Sequence, residues 1–243
     1  MINKLHSIYK SQTFKPGFIG IFINPFFFIR RGLLNGIKKY ARQLNGNLLD
    51  FGCGSKPYKT LFNVKKYFGV DMIDRGHPHE LELEQIDVYY DGNKLPFKDE
   101  AFDSLFSSEV FEHVFNLEDI LQELRRVLKK DGKALFTVPF VWDEHEIPYD
   151  YGRYSSFGIK YLLEKHGFKV IALEKSTKYL ETVFQLWNLY LYYKLYTKNK
   201  YINIFINILF ISPFTITGMI ISSILPNSRN LYNNNIVLVK KEL

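Results

Sequence analysis

The sequence predicts an α/β fold: a largely parallel sheet of seven strands with helices on both faces, interrupted before its last strand by an apolar helical insertion. Three observations predict it. Short apolar runs alternate with helical segments between residues 47 and 175, the pattern of strands joined by crossover helices. The first run ends in a glycine turn, Phe51-Gly52-Cys53-Gly54, and an acid, Asp71, follows at the end of the next. The length, 243 residues with 47% hydrophobic, suffices for one such core plus an appendage.

The elements follow in order. Asn47–Phe51 is a short apolar run ending in glycines and reads as a buried strand. Lys66–Val70, before Asp71, is a second strand. Gln85–Tyr90 is a weaker third, and Phe102–Ser107 a fourth. Asn116 is expected to cap a helix that runs through Leu128. Glu118 and Asp119 lie in its first turn, and Leu117, Ile120, Leu121, Leu124, Val127 and Leu128 share one face. Asp131-Gly132 ends it. Lys133–Val138 is a fifth strand. Ser155–His166 is a helix with Ser155 or Ser156 as cap and Gly167 as stop. Phe168–Glu174 and Asn235–Lys241 complete the set of strands.

Charge divides the chain. Residues 1–43 carry eight Lys/Arg and no Asp/Glu, and residues 176–243 carry seven Lys/Arg against two Glu. The middle is net acidic although the whole chain carries +7. The division expected is a basic, apolar N-terminal helical segment over 1–43, a core over 44–175, a hydrophobic helical insertion over 176–230 and a final core strand over 231–243. Basic ends that are also apolar and aromatic suit a membrane surface better than a nucleic acid. The single cysteine, Cys53, excludes an intrachain disulfide and fits a reducing compartment. Asn24-Pro25 interrupts the apolar run from Phe18 to Ile29, and no small-residue cleavage site follows. The chain is read as cytoplasmic, on the inner face of the cytoplasmic membrane if its apolar segments touch lipid.

A glycine turn directly after a buried strand lets a ligand approach the backbone. Asp71, 21 residues after Asp50, could accept hydrogen bonds from ribose hydroxyls. A dinucleotide fingerprint needs a third glycine at position 57, where this chain has Pro57. Five motifs stand in register: Leu49-Asp50-Phe51-Gly52-Cys53-Gly54; Gly69-Val70-Asp71; Asp91 with Leu95-Pro96-Phe97 and Phe102-Asp103; Ser107-Ser108-Glu109-Val110-Phe111-Glu112-His113-Val114; and Leu128-Lys129-Lys130-Asp131-Gly132. On these the chain resembles class I S-adenosylmethionine (SAM)-dependent methyltransferases of the type 11 kind over about residues 45–175. The resemblance implies a Rossmann-like sheet of seven strands with the last antiparallel, and SAM as methyl donor. It also implies roles: Asp50, Gly52, Cys53 and Gly54 at the methionine part, Asp71 at the ribose, Met72 against the adenine, Asp91 and Gly92 beside it, and Ser108 and Glu109 between donor and acceptor. A sulfonium donor suits an acidic core. Such transfer needs no metal, and none is expected. Asp91 could also be an ordinary turn residue, and His113 a packed structural histidine.

The segment after the fifth strand, Pro139 to Tyr154, is dense in titratable and aromatic groups. It resembles loops of relatives linked to bacterial surface saccharides. His145 is the first candidate general base and His113 the second, because imidazole titrates in the useful range. Tyr149, Arg153 and Tyr154 are candidate acceptor contacts, though Arg153 could simply pair with Asp150. The expected acceptor is an oxygen of a saccharide or lipid-linked molecule. A quinone or other lipid acceptor, or a non-catalytic SAM-binding protein, are the alternatives. No base-flipping motif and no basic core support a nucleic-acid substrate.

From Tyr201 to Ser228 there is no charged residue, and Tyr179–Tyr196 is also aromatic and apolar. If the strands on either side share one sheet, the insertion crosses a bilayer an even number of times or not at all. Monotopic contact through 179–225, a soluble cap or dimer face, and a spanning hairpin stay open, as does oligomerisation.

Overall fold

The computed structural model describes Tyr9, residues 11–72 and residues 86–242. Seven strands form one sheet: β1 (Asn47–Phe51), β2 (Lys66–Met72), β3 (Val88–Tyr90), β4 (Phe102–Ser108), β5 (Leu128–Pro139), β6 (Phe168–Lys175) and β7 (Asn234–Lys241). Their order is β3-β2-β1-β4-β5-β7-β6. β1 pairs in parallel with both β2 and β4, as do β2 with β3 and β4 with β5. β6 and β7 are antiparallel: Glu242 N donates to Gly167 O (3.0 Å) at one end and Ser176 N to Asn234 O (2.9 Å) at the other. Gln85, the expected start of the third strand, lies outside the described residues, as does part of the N-terminal segment.

The order reverses at β1, so the crevice beyond the carboxyl ends of β1 and β4 is where such sheets receive ligands. Leu48 to Phe51 are all buried, as a central strand covered on both faces requires. One face packs on helix α2 (Leu117–Val127), whose Leu117, Ile120, Leu121, Leu124 and Val127 are buried. Ile159 and Leu163 of helix α3 (Ser156–Lys165) join the same core. On the other face Phe106 packs on Tyr58 and Phe62.

Two local expectations are corrected, and one open alternative is resolved. α2 stops at Val127, and Leu128 already begins β5, the chain passing Asp131 in the left-handed region (φ +60°). Asn116 stands at the N-cap position of α2 and its backbone O accepts from Asp119 N and Ile120 N, but its side chain does not cap the helix; its Nδ2 instead donates to Gly92 O (3.3 Å). Ser155, not Ser156, caps α3 by accepting from Gly158 N (3.2 Å).

Several motif residues turn out to be structural. Asp103 accepts from Asn47 N (2.7 Å) and from Lys129 Nζ (2.6 Å), pinning the start of β1. Arg126 binds Glu123 and reaches the carbonyls of Leu95 (3.0 Å) and Phe97 (2.7 Å), fixing the Leu95-Pro96-Phe97 bend.

The chain divides into two compact units, Met1–Gly36 with Lys175–Asn234, and Ile37–Glu174 with Asn235–Leu243. The second unit holds the sheet. The first holds most of helix α1 (Phe27–Ala41), helix α4 (Tyr179–Leu195) and a continuous helix Lys200–Ile224 that passes through a π-helical turn at Asn207–Ile211. Along these last two helices much of the pattern is inverted, although Leu189, Ile206 and Ile211 are buried in the ordinary way. Thr182, Gln185, Asn188, Asn207, Ser212, Thr215 and Ser222 are buried, whereas Trp187, Phe205, Phe210, Ile220 and Ile224 are exposed. Most of these groups are bonded, although Asn188 Oδ1 and Asn207 Oδ1 have no hydrogen-bond partner. Asn188 Nδ2 donates to Thr215 Oγ1 (2.9 Å), and Gln185 Oε1 accepts from Phe28 N (3.1 Å) and Ile29 N (3.3 Å), satisfying the first turn of a neighbouring helix. Gly218 lets the helix of Lys200–Ile224 press on Phe184, since a Cβ there would lie 2.7 Å from its ring.

Candidate functional site

The glycine turn closes the carboxyl end of β1. Gly52 and Gly54 have φ of +70° and +48°. Gly52 N and Cys53 N both donate to Val70 O on β2 (2.9 and 3.2 Å). A Cβ on Gly52 would meet Val110 Cγ2 at 2.4 Å, whereas one on Gly54 meets nothing within 4 Å. The turn is therefore packed on one side and open on the other. Cys53 is buried, with its sulfur against Gly69. It serves the turn as a packing residue.

Asp50, 3% exposed, accepts from Tyr67 OH (2.6 Å). Burial pushes its carboxyl up to about 7, opposed by the Tyr67 hydrogen bond and the Lys56 charge. Asp71 is buried at the end of β2 and accepts from Gly54 N (2.9 Å) and Met72 N (2.8 Å). It ties the glycine turn to β2. Met72 lies against Gly92, where a Cβ would come within 3.1 Å of the sulfur, and Gly92 has φ +85°. Asp91 is exposed, and its Oδ1 accepts from Asn93 N (2.9 Å) and Lys94 N (3.0 Å). Those bonds hold its carboxyl below the usual range.

At the end of β4, Glu109 adopts φ +57°. Its N donates to Thr137 O (3.0 Å) and its Oε1 accepts from Thr137 Oγ1 (2.8 Å), which lies 2.8 Å from Ser108 Oγ. A relay of two hydroxyls thus ends on a carboxylate held by a backbone conformation rare outside glycine.

Next to it, His113 and His145 pack edge to face with ring centroids 4.7 Å apart. His113 Nδ1 lies 2.7 Å from Tyr149 O. Burial holds His113 below the usual imidazole range against the raising effect of the Tyr149 carbonyl and Glu146. Glu112, 1% exposed, is raised well above the usual carboxylate range by burial and by Glu109. His145 Nδ1 stands 3.1 Å from Asp150 Oδ2 and 3.3 Å from both Asp143 O and Arg153 Nη2. Arg153 takes Asp150 in a two-point pair (Nη2–Oδ2 2.6 Å) and also donates to Asp143 O (2.7 Å). Burial alone would raise Asp150, but the Arg153 and His145 hydrogen bonds outweigh it and hold the carboxyl low. Tyr154 N donates to Pro139 O (3.3 Å), and Tyr154 O accepts from Asn235 Nδ2 (2.7 Å), which joins this loop to β7.

The alignment of residues 49–136 with the family model described as a methyltransferase domain decides the assignment. Residues 49–136 form a class I SAM-dependent methyltransferase domain. The chain is 31% identical over 104 residues to malonyl-[acyl-carrier protein] O-methyltransferase of Erwinia pyrifoliae, covering 41% of this chain and 40% of that protein. It is 35% identical over 111 residues to an uncharacterized protein of Methanocaldococcus jannaschii, covering 45% and 52%. The chain spans about half the length of the curated relatives it matches. The fold superposes on phosphoethanolamine N-methyltransferase 2 of Haemonchus contortus in complex with SAM, with TM-score 0.54, 18% identity, and coverage of 98% of this chain and 57% of that one.

The methyltransferase domain's donor is SAM, and the residues present fit it. The open side at Gly54, the close approach of Met72 to Gly92 and the buried acid at Asp50 are what a cationic, nucleoside-bearing donor needs. Among the residues expected at the site, Asp50, Gly52, Cys53, Gly54 and Asp71 come together in one hydrogen-bonded turn, and Met72 and Gly92 in another place beside Asn116. Ser108 and Glu109 join through Thr137. His113, His145, Tyr149, Arg153 and Tyr154 gather around Glu112. Sequence reasoning did not single out Glu112, Thr137, Tyr67 or Asp150 as site residues. Glu112 stood inside a quoted motif, and its burial is the missing signal. Tyr67 carries no sequence mark at all.

Proposed function

We propose that this chain methylates a hydroxyl oxygen of a saccharide or of a lipid-linked small molecule at a membrane surface, the inner face of the cytoplasmic membrane. The observation that carries the reading is the imidazole–carboxylate cluster of His113, His145, Glu112 and Glu146 beside the carboxyl end of β4. Bound SAM supplies the methyl group: its carbon–sulfur bond breaks as the new carbon–oxygen bond forms, and S-adenosylhomocysteine leaves. The domain's own residues do the rest. Asp50 and the open face of the glycine turn hold the cationic end of the donor. The His113–His145–Glu146 cluster takes the acceptor hydroxyl's proton, because a hydroxyl is a poor nucleophile until it loses one. Positioning supplies much of the remaining acceleration. Exposed Phe115 and Tyr151, ring centroids 5.3 Å apart, offer aromatic faces suited to a sugar ring.

The membrane part rests on the inverted unit. Helices that bury hydroxyls and amides and expose Phe205 (61%) and Ile224 (73%) have the pattern of lipid-facing packing. Helix Lys200–Ile224 is long and apolar enough to enter a bilayer, and it is the one such helix among the described residues. Contact is read as monotopic.

Two experiments test this. With purified protein, SAM and separate pools of saccharide, lipid-linked and quinone acceptors, S-adenosylhomocysteine release should appear with the saccharide or lipid-linked pool. His145→Ala should then lower turnover about 100-fold or more, with SAM affinity unchanged. Full turnover by that variant would remove the cluster from the chemistry, and release only with quinones would move the acceptor to that class. For location, the full chain should co-float with anionic vesicles and Phe205→Asp with Ile224→Asp should stay at the bottom of the gradient; a wild-type chain that never floats defeats the membrane reading.

A further inference from the structure

The cluster has a geometry that proton transfer alone does not require. One donor atom from each of Glu112, His113 and His145 lies within 4.8 Å of the others. His113 Nδ1 faces a carbonyl that can only accept, Tyr149 O at 2.7 Å, so it carries the ring proton. Nε2 then presents a lone pair. It stands 3.7 Å from Glu112 Oε1 and 3.6 Å from Glu146 Oε2, too far for hydrogen bonds. Two ligands held at about 2.1–2.2 Å from one tetrahedral ion lie about 3.5 Å apart. The His113 Nε2–Glu112 Oε1 pair stands close to that spacing, and the His145 ligand atom lies within 4.8 Å of both.

A second observation is independent of the spacing. Glu112 is 1% exposed, and its Oε2 has no hydrogen-bond partner. A buried carboxylate oxygen left bare is costly, and a cation removes the cost. The outer contacts are also those that orient metal ligands. His145 Nδ1 is engaged by Asp150 Oδ2 (3.1 Å) and Asp143 O (3.3 Å), with Arg153 Nη2 at 3.3 Å. That leaves Nε2 for the ion, as the Tyr149 carbonyl does for His113.

We propose that Glu112, His113 and His145 bind one divalent first-row transition-metal ion. Two imidazoles with a carboxylate suit Mn²⁺ or Zn²⁺ better than Mg²⁺ or Ca²⁺. Three protein ligands leave open positions, and an acceptor oxygen in one of them is polarised and acidified. Glu146, outside the three-ligand set, remains as the carboxylate for the proton. This departs from the expectation that the domain needs no metal. The role toward the acceptor rests on the hydroxyl-methylation reading; the ion site itself does not.

The test uses the full chain, stripped with EDTA and dialysed. Titration with MnCl₂ followed by loss of the free-ion electron paramagnetic signal, and with ZnCl₂ by calorimetry, should give one ion per chain. Glu112→Gln and His145→Asn should each weaken binding at least about 10-fold while keeping SAM affinity, which reports that the variant is folded. If either variant loses SAM binding, CoCl₂ added to the wild-type chain decides instead: visible d–d bands of a nitrogen- and oxygen-ligated ion support the site, and a spectrum of free Co²⁺ overturns it. No saturable binding to the wild-type chain, or equal binding by folded variants, also overturns it. EDTA-treated protein that still methylates a hydroxyl acceptor, with no ion bound, overturns the ion's role toward the acceptor and leaves the methylation reading standing. Ion binding without turnover supports the site and sinks the methylation reading.

Discussion

Gly52→Ala is expected to lose SAM binding by at least about 100-fold and to melt several degrees lower. Two costs add at that position. At φ +70° an alanine pays the left-handed penalty of about 1–2 kcal/mol. Its Cβ would also lie 2.4 and 2.6 Å from the two γ-methyls of Val110, so either the turn or Val110 must move. Val110 follows Glu109, whose backbone already sits at φ +57°, so a shift there reaches the end of β4. Gly54→Ala is the informative comparison. Its Cβ meets nothing within 4 Å, so stability should fall only by the backbone penalty. The added methyl still occupies the open side, and SAM affinity should fall. Calorimetric titration with SAM and thermal melting of both variants check this. Unchanged SAM binding by Gly52→Ala would remove the turn from the donor site.

Asp50→Asn is expected to erase a pH dependence. Burial raises the Asp50 carboxyl from 3.8 to about 7 in the folded chain. A folded-state pKa above the unfolded one gives stability that is fully present below the unfolded value and lost as pH rises through the folded one. For Asp50 that loss runs from about pH 4 to about pH 7 and amounts to about 4 kcal/mol at most. Asp87, Asp103 and Asp150, held low, act in the opposite sense, so the quantity to measure is the difference between wild type and variant without SAM. That difference should favour the variant increasingly from pH 5 to pH 8. Donor binding should run the other way: a cationic ligand favours ionised Asp50, so wild-type affinity rises through about pH 7 and the variant's does not. Parallel pH profiles for the two proteins would show that Asp50 does not titrate in this range.

The sheet was legible because its determinants are local. β1 is a run of apolar residues ended by glycines, and α2 repeats Leu and Ile at helical spacing before an Asp-Gly pair. The donor turn was legible for the same reason, with Asp71 one strand away. The acceptor cluster was only half legible. His145, Arg153 and Tyr154 lie in one loop dense in titratable groups, but their meeting with Glu112 depends on Tyr151 N donating to Glu112 O (2.7 Å), a contact between segments far apart in sequence. Asn116 shows the limit of local rules. It has the composition and place of a cap, yet Gly92 O is the stronger claim on its amide. Likewise Phe102-Asp103 and Leu95-Pro96-Phe97 match the family motif, but their work here is anchoring rather than binding.

The seam between α4 and the helix of Lys200–Ile224 has a consequence for how this protein tolerates a change of solvent. A bundle closed by apolar contacts is held by water, and loosens where water is replaced by hydrocarbon. This seam combines Asn188 on Thr215 with the fit of Gly218 to Phe184 and the edge contact of Trp187 with Phe214. Amide–hydroxyl bonds lose competitors when water leaves, and close packing is indifferent to it. The same helix pair is therefore expected to hold its shape if apolar surroundings replace water around it.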